Sequence, residues 1–469
     1  DGKMTEAAGG NYTGLTAEDA RARVLTELKA EEYLKATEEL THAVGHCYKC
    51  GNRIQPLLKE QWFLMVQPLA KRAIEVLEKN EISFNPASKQ KALIQYLENL
   101  RDWNLSRQIP WGIPIPAFQN TADESDWIFD ERVDQPTITV DGKTYRREED
   151  TFDTWFSSGQ WPFITTDALR EDSELKRYYP IDLMEHGADI LYAWTSRMIM
   201  LGLYRTDQIP FKDVYLHGMV NDEHNQKMSK SKGNVINPME IVSTYGSDAL
   251  RLGIIAKRSA GQNQAFSTAS VVAGRNFCNK LWNMARFIEP KIEDEQSDTP
   301  KPETIADHWV ISRLESARET VESHLSNYRY AEAGDTAYHA IWDDVADWYL
   351  EASKLSPNPS VLSWVLDTCL KLAHPFAPFV TEAIWTTLER HETPLISQSW
   401  PEKAEFNDIA AAEFDQLREL VTEARFVASE LPGGKQTLLY EHDSLIADNE
   451  ELVAKLANLA AATHVEQPK

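Results

Sequence analysis

Nothing in the 469 residues approaches the roughly 18 continuous apolar positions of a membrane-spanning helix. The first residues, Asp1-Gly-Lys-Met-Thr-Glu, lack the basic start and apolar core of a signal peptide. No membrane association is therefore expected. Cysteine is scarce, with four in the whole chain, which indicates a reducing compartment and hence the cytoplasm. A basic excess is missing as well: 73 acidic and 48 basic residues give a formal net charge of −25. That argues against indiscriminate nucleic-acid binding and leaves room only for a partner held by a locally basic surface. There is no internal repeat and no low-complexity segment. An initiating methionine is absent too, so the chain is expected to be a piece of something longer. What is present is a hydrophobic fraction of 42% with 14 tryptophans, the composition of well-packed globular domains. The length suggests about three of them.

Along the chain, Thr16–Lys29 reads as a helix capped by Thr16 and Asp19, with Ala20, Val24, Leu25 and Leu28 on one face. Residues 56–62 read as irregular, and helices are expected over Pro68–Lys79 and Ser88–Leu100. Residues 119–150 form a polar insert with one hairpin, Thr137–Tyr145, turning at Asp141-Gly142. Strand-like and helical pieces alternate from Thr151 to about Ile255, the pattern of a parallel α/β sheet. Beyond Ser267 long amphipathic helices take over, among them Trp309–Leu325, Tyr330–Ser353, Ser360–Leu372 and Phe379–Glu389, and predict a helical bundle. The last stretch holds a strand at Gln436–Tyr440 and a helix at Asn449–Ala462. The fold class is thus α/β plus all-α.

The most informative segment is Asn225-Gln-Lys-Met-Ser-Lys-Ser-Lys-Gly-Asn-Val-Ile-Asn-Pro238, which sets Lys227, Lys230 and Lys232 on one Ser- and Gly-rich loop. Lysine ammonium groups are compact point charges suited to phosphate oxygens, and the small neighbours let the loop bring them close. Upstream, Gly187-Ala-Asp189 opens a helix: a glycine admits a sugar and a carboxylate accepts its hydroxyls. Taken alone, the pair fits an ordinary strand–helix turn equally well. Val214–Val220 reads as a buried strand ending in His217-Gly218-Met219, just before the lysine loop. Gly218 would let the backbone approach a base closely. His217 by itself is more often a packed or capping histidine. Trp111, in Ile109-Pro-Trp-Gly-Ile-Pro114, and Trp155, in Phe152-Asp-Thr-Trp-Phe-Ser-Ser158, suit an apolar pocket for a small branched side chain; the plain alternative is core.

Cys47-Tyr-Lys-Cys50-Gly51 has the spacing of a zinc knuckle. A structural zinc needs four ligands, and no second knuckle occurs. Cys278 and Cys369 sit singly in helical patterns and read as core. Either the other ligands lie outside this chain or the site is incomplete. His42-Ala-Val-Gly-His46 misses the His-x-Gly-His spacing by one residue.

The lysine loop resembles the KMSKS signature of class I aminoacyl-tRNA synthetases, and the likeness runs over essentially the whole chain. Asp102-Trp-Asn-Leu-Ser-Arg-Gln108 and Asp153-Thr-Trp-Phe-Ser-Ser158 resemble the enzymes for Val, Ile and Leu. Gly274-Arg-Asn-Phe-Cys-Asn-Lys-Leu-Trp-Asn-Met-Ala-Arg-Phe287 and Ala260-Gly-Gln-Asn263 resemble the valyl branch. Ala346-Asp-Trp-Tyr-Leu-Glu351 and His374-Pro-Phe-Ala-Pro-Phe379 are similar to the helical anticodon-binding domain, and Tyr245-Gly-Ser-Asp-Ala-Leu-Arg251 to the junction before it.

The resemblance implies valine activation by ATP with Mg2+ and transfer to tRNA(Val). Lys227 and Lys230 would hold the departing phosphates, Gly187 and Asp189 the ribose, His217, Gly218 and Met219 the adenine side, and Trp111 and Trp155 the valine. It implies four parts: 1–40, the trailing edge of an editing insertion; 41–265, the second half of a Rossmann-like catalytic domain; 266–430, an anticodon-binding bundle; and 431–469, a small α/β tail. The family's His-x-Gly-His half and most of its editing insertion are missing. This piece alone is expected to be inactive, and the whole enzyme to be a monomer. Ile109-Pro110 also replaces the bulkier pair expected before Trp111. Two alternatives are a non-catalytic tRNA-binding module and an isoleucyl or leucyl enzyme fragment.

Overall fold

The computed structural model describes residues 2–47, 50–54, 59–256, 260–292, 299–389 and 393–466, without the side chain of Ser231. The irregular stretch expected at 56–62 and the middle of the cysteine motif fall partly outside these residues. The chain divides into two compact units, Asp1–Leu64 with Asn104–Thr151 and Met65–Trp103 with Phe152–Lys469.

In the first unit the helix Ala17–Ala30 starts where the Thr16 hydroxyl accepts the Asp19 N–H at 3.1 Å. Its expected buried face is not buried: Ala20 is, but Val24, Leu25 and Leu28 are exposed. Four antiparallel strands follow in the order Trp127–Phe129, Ala117–Asn120, Lys143–Arg147, Thr137–Val140. The hairpin turns where predicted, with positive φ at both Asp141 and Gly142, a twist that matches the flanking strands. Alternation puts Phe118, Ile138 and Tyr145 on one face as a small core.

The second unit begins with helix α1 (Gln67–Glu78), strand β1 (Ser83–Asn85) and helix α2 (Ser88–Glu98). The five-residue α3 (Thr154–Ser158) comes next, then β2 (Ile181–Gly187), a π-helical stretch over Leu191–Thr195, α4 (Ser196–Thr206) and β3 (Phe211–His217). The strands form a parallel sheet ordered β2–β3–β1. Parallel pairing needs crossover connections, and α1 and α4 pack against each other with Ala70, Ala73, Leu77, Met198 and Ile199 buried. Past β3, β4 (Val220–Asn221) pairs in parallel with β5 (Gln264–Ala265), and the lysine loop, α5 (Pro238–Tyr245) and α6 (Ser247–Ile255) lie between them in sequence.

The rest is helical, as periodicity predicts: α7 (Thr268–Ile288), α8 (Ile305–Ser326), α9 (Tyr330–His339, continuing through a π stretch to Ala352), α10 (Pro359–Ala373), α11 (Pro378–Thr387) and α12 (Asp408–Glu430). Their facing stripes share one large core that includes Trp309, Val310, Ile341, Val365 and Phe414. Asp307 is buried within it without being orphaned. Its carboxylate accepts from Tyr349 OH, Asn358 Nδ2 and the backbone N–H groups of Glu303 and Thr304. In the tail the structure departs from the expected helix over Asn449–Ala462. The helix ends at Leu456, Asn458 turns left-handed, and Ala461–His464 pairs in parallel with Thr437–Tyr440.

Two stretches noted separately in the sequence meet here. Buried Asp248, in the first turn of α6, accepts the N–H groups of Phe379 (3.2 Å) and Val380 (2.6 Å) at the start of α11. Arg251, one turn on, donates to the carbonyls of Pro375 and Phe376. A carboxylate on unpaired helix N–H groups and a guanidinium on the carbonyls just before them form a clasp between the helix that follows the lysine loop and the bundle.

Candidate active site at the carboxyl edge of the parallel sheet

In a parallel α/β sheet, ligands collect beyond the carboxyl ends of the strands. β2 and β3 end together: Gly187 and His217 are the last register partners. Gly187-Ala-Asp189 and Gly218-Met219, distant in sequence, therefore leave the sheet side by side. A Cβ at Gly187 would lie 2.7 Å from Asp189 Oδ1, so the glycine makes room for that carboxylate to fold back. At Gly218 a Cβ would fall 1.6 Å from the carbonyl oxygen of Gln262. The glycine there is demanded by the chain's own backbone. The Met219 N–H donates to Asn263 Oδ1 at 2.8 Å, and its carbonyl accepts from Gln264 N–H.

Behind this edge His186 is buried. Its Nδ1–H donates to the Gly187 carbonyl at 2.9 Å, and in that neutral tautomer Nε2 accepts from Thr195 Oγ1 at 2.6 Å. Burial holds its pKa below the ordinary 6.5. The π-helical stretch that delivers Thr195 also presents Trp194, whose indole N–H donates to the Ser158 carbonyl at 2.8 Å. At the other end of α3 the Trp103 indole donates to the Asp153 carboxylate at 3.0 Å, and Arg197 covers the Trp103 ring at 4.2 Å. The short helix carrying half-buried Trp155 is thus held at both ends. Trp111, in the first unit, is 90% exposed, so it is not a core residue.

The lysine loop is ordered around two residues that sequence reasoning passed over. Buried Asp222 accepts the N–H groups of His224 (3.0 Å) and Gln226 (2.7 Å) through one oxygen, and Asn234 Nδ2 at 2.8 Å through the other. These bonds, Asn234's foremost, hold its pKa below the usual carboxylate range. Asn234 Oδ1 in turn accepts the Ser229 N–H at 3.0 Å. The available signal was chemical: short amide and carboxylate side chains close loops onto nearby backbone. Lys227 lies 3.9 Å from Asp189 Oδ2, joining the loop to the β2 edge. Lys230 and Lys232 are exposed and have no ion-pair partner among the described residues.

The described ends of the cysteine motif, in the first unit, are hydrogen-bonded to one another and to their neighbours. Cys47 N–H donates to the Asn52 carbonyl, Gly51 N–H to the Cys47 carbonyl, and His46 Nδ1 to the Gly51 carbonyl. Among the described residues no three His, Cys, Asp or Glu side chains come together as a metal would need. Cys47 and Cys50 offer two thiols, half of a structural zinc set. Of the remaining cysteines Cys369 is fully buried and Cys278 half-buried.

A parallel α/β sheet with this edge, followed by an all-α bundle, defines the class I synthetase architecture. The family model for tRNA synthetases class I (I, L, M and V) matches residues 19–267, more than half the chain, and a second, for the anticodon-binding domain of tRNA ligase, matches residues 307–437. The chain belongs to the class I tRNA synthetase family (I, L, M and V). Among curated relatives, a valine–tRNA ligase of Petrotoga mobilis is 38% identical over 98% of this chain and 55% of its own length. One of Geobacillus stearothermophilus is 39% identical over 94% and 51%. The chain thus spans about half the length of the curated relatives it matches. A Mycobacterium tuberculosis methionyl-tRNA synthetase bound by methionyl-adenylate shares the fold with TM-score 0.57, at 19% identity, over 74% of this chain and 66% of that one. The LeuRS–tRNA–LeuAMS complex of Agrobacterium radiobacter K84 does so with TM-score 0.57, at 20% identity, over 69% and 47%.

Proposed function

We propose that this chain is the ATP-handling and tRNA-binding part of a valine–tRNA ligase. The valine carboxylate attacks the α-phosphorus of ATP, pyrophosphate leaves, and the valyl group then passes from the adenylate to the terminal adenosine of tRNA(Val), releasing AMP. The observation that carries the reading is the meeting of Gly187 with His217 at one sheet edge, with Lys227 of the lysine loop reaching Asp189. On this reading Gly187 and Asp189 take the ribose, and His217, Gly218 and Met219 flank the adenine. ATP enters as its magnesium complex, and Lys227 and Lys230 neutralise the phosphates that leave. Such transfers depend on positioning and charge stabilisation more than on covalent chemistry by the protein. Trp155, on its doubly held helix, takes the valine side.

Valine is favoured over isoleucine, leucine and methionine by the names of the relatives that match over nearly the whole chain. The functional parts are 1–40 and 41–265 for an editing remnant and the catalytic half, 266–430 for the anticodon-binding bundle and 431–469 for the tail. The scarcity of cysteine, four in 469 residues, supports a cytoplasmic enzyme, and the whole enzyme is taken as a monomer from its family. Retention of tRNA by the 469-residue chain tests the assignment. tRNA(Val) is expected to bind roughly tenfold more tightly than tRNA(Ile), tRNA(Leu) or tRNA(Met), about 1.4 kcal/mol of discrimination. Equal retention of all four would leave only a general tRNA-binding module.

A further inference from the structure

The lysine loop is tied at three points, by Asp222, Asn234 and Met228. Asp222 fixes the limb that enters it, through the His224 and Gln226 N–H groups. Asn234 fixes the limb that leaves it, and it does so with both ends of its amide. Its Nδ2 donates to Asp222 Oδ2 at 2.8 Å and lies 3.4 Å from the Lys227 carbonyl; its Oδ1 accepts from Ser229 N–H at 3.0 Å. Met228 Sδ also accepts the Ile236 N–H at 3.4 Å. The lysine side chains contribute none of this: those of Lys230 and Lys232 are exposed, and the Lys227 ammonium has only its long contact to Asp189 at 3.9 Å. A loop that must deliver two ammonium groups to a triphosphate gains from being shaped beforehand, because ordering it at the moment of binding would subtract from affinity.

We infer that Asn234, backed by Asp222, is the positioning residue of the lysine loop, a donor–acceptor clamp that fixes Lys227–Ser229 and so presents Lys230 to the phosphates. The inference rests on the functional reading above for its last clause and on geometry alone for the clamp. Only an amide does both jobs at position 234, since a carboxylate cannot donate to Asp222 and alanine does neither. The chemistry also specifies its own rescue. Asp222→Asn alone turns an amide toward the Asn234 amide, and Asn234→Asp alone sets two carboxylates face to face. Together the two changes exchange donor and acceptor: the amide at 222 donates to the carboxylate at 234, which still accepts from Ser229 N–H.

The test is cleavage of the native 469-residue chain by a lysine-specific protease, which reads local opening of the loop when reclosing is fast. Asn234→Ala, Asn234→Asp and Asp222→Asn are each expected to speed cleavage within 227–232 by about tenfold or more, with the thermal midpoint unchanged, and the double exchange to restore the slow rate. In the unmodified chain ATP with magnesium should slow this cleavage, and Asn234→Ala should need roughly tenfold more ATP for the same protection. Unchanged cleavage in the single variants, or a double variant as fast as they are, overturns the clamp. If ATP fails to protect even the unmodified chain, the presentation of Lys230 to phosphates by this chain alone falls, while the cleavage rates still decide the clamp.

Discussion

The bundle and the carboxyl edge of the sheet are held by different chemistry. In the bundle, stability comes from volume: Trp309 is fully buried, packs at a tilt on Phe414 with ring centroids 4.9 Å apart and gives its indole N–H to Asp415. At the edge the apolar contribution is small, and shape comes from short polar side chains bonded to backbone, as Asp222, Asn234 and His186 are. A core tolerates much and fails gradually as volume is lost; a polar clamp is specific, and one altered atom reverses it. The difference matches the tasks, since a bundle offers a rigid surface and a phosphate-handling edge must place charges.

The comparison breaks most clearly in the core. Trp309→Ala is expected to cost about 3–5 kcal/mol in urea unfolding, with cleavage of the native lysine loop unaffected. Gly218→Ala should come next, about 3 kcal/mol, because its methyl group collides with the Gln262 carbonyl and β3 must shift. Removing the clasp with Asp248→Ala leaves two helix N–H groups unpaired and should cost about 2 kcal/mol. A smaller effect is set by pH. His186 and His374 both have pKa values lowered by burial, so the unfolded chain binds protons more readily than the folded one. Their contribution is complete above pH 6.5, the ordinary histidine value, and is lost as pH falls through the lowered folded values. The thermal midpoint should therefore decline on acidification from neutral pH, and His186→Gln should flatten that decline. Lys230→Ala should change stability least, within about 0.5 kcal/mol.

How much of this was legible in the sequence follows the same division. The helices of the bundle were readable because burial imposes a 3.6-residue period, and the hairpin because Asp141-Gly142 supplies two left-handed positions. The end of β3 at His217 was readable from its apolar run and the glycine behind it. Periodicity misled at Val24, Leu25 and Leu28, where an amphipathic pattern stands exposed in this chain. It misled again at 457–462, where good helix formers end in a strand because a parallel partner at Thr437–Tyr440 outweighs local preference. The clasp was beyond reach: Asp248 and Val380 are far apart in sequence, and a single carboxylate meeting a distant helix end has no period. The loop motif was conspicuous for its lysines, but the residues that hold it, Asp222 and Asn234, carry no pattern of their own. Gly218 was noticed for its position, and the structure adds a neighbour the sequence could not show, the Gln262 carbonyl, which leaves no room for a side chain there.

Valine-dependent ATP–pyrophosphate exchange tests the central claim, that the lysine-loop edge handles ATP, most directly. Because the chain spans about half its relatives' length, the assay uses it joined to the part of the Petrotoga mobilis relative that it does not match, with and without Lys230→Ala. The account predicts exchange that requires valine and falls by about a hundredfold or more in the variant, whose stability is unchanged. Exchange that persists undiminished in Lys230→Ala would contradict it.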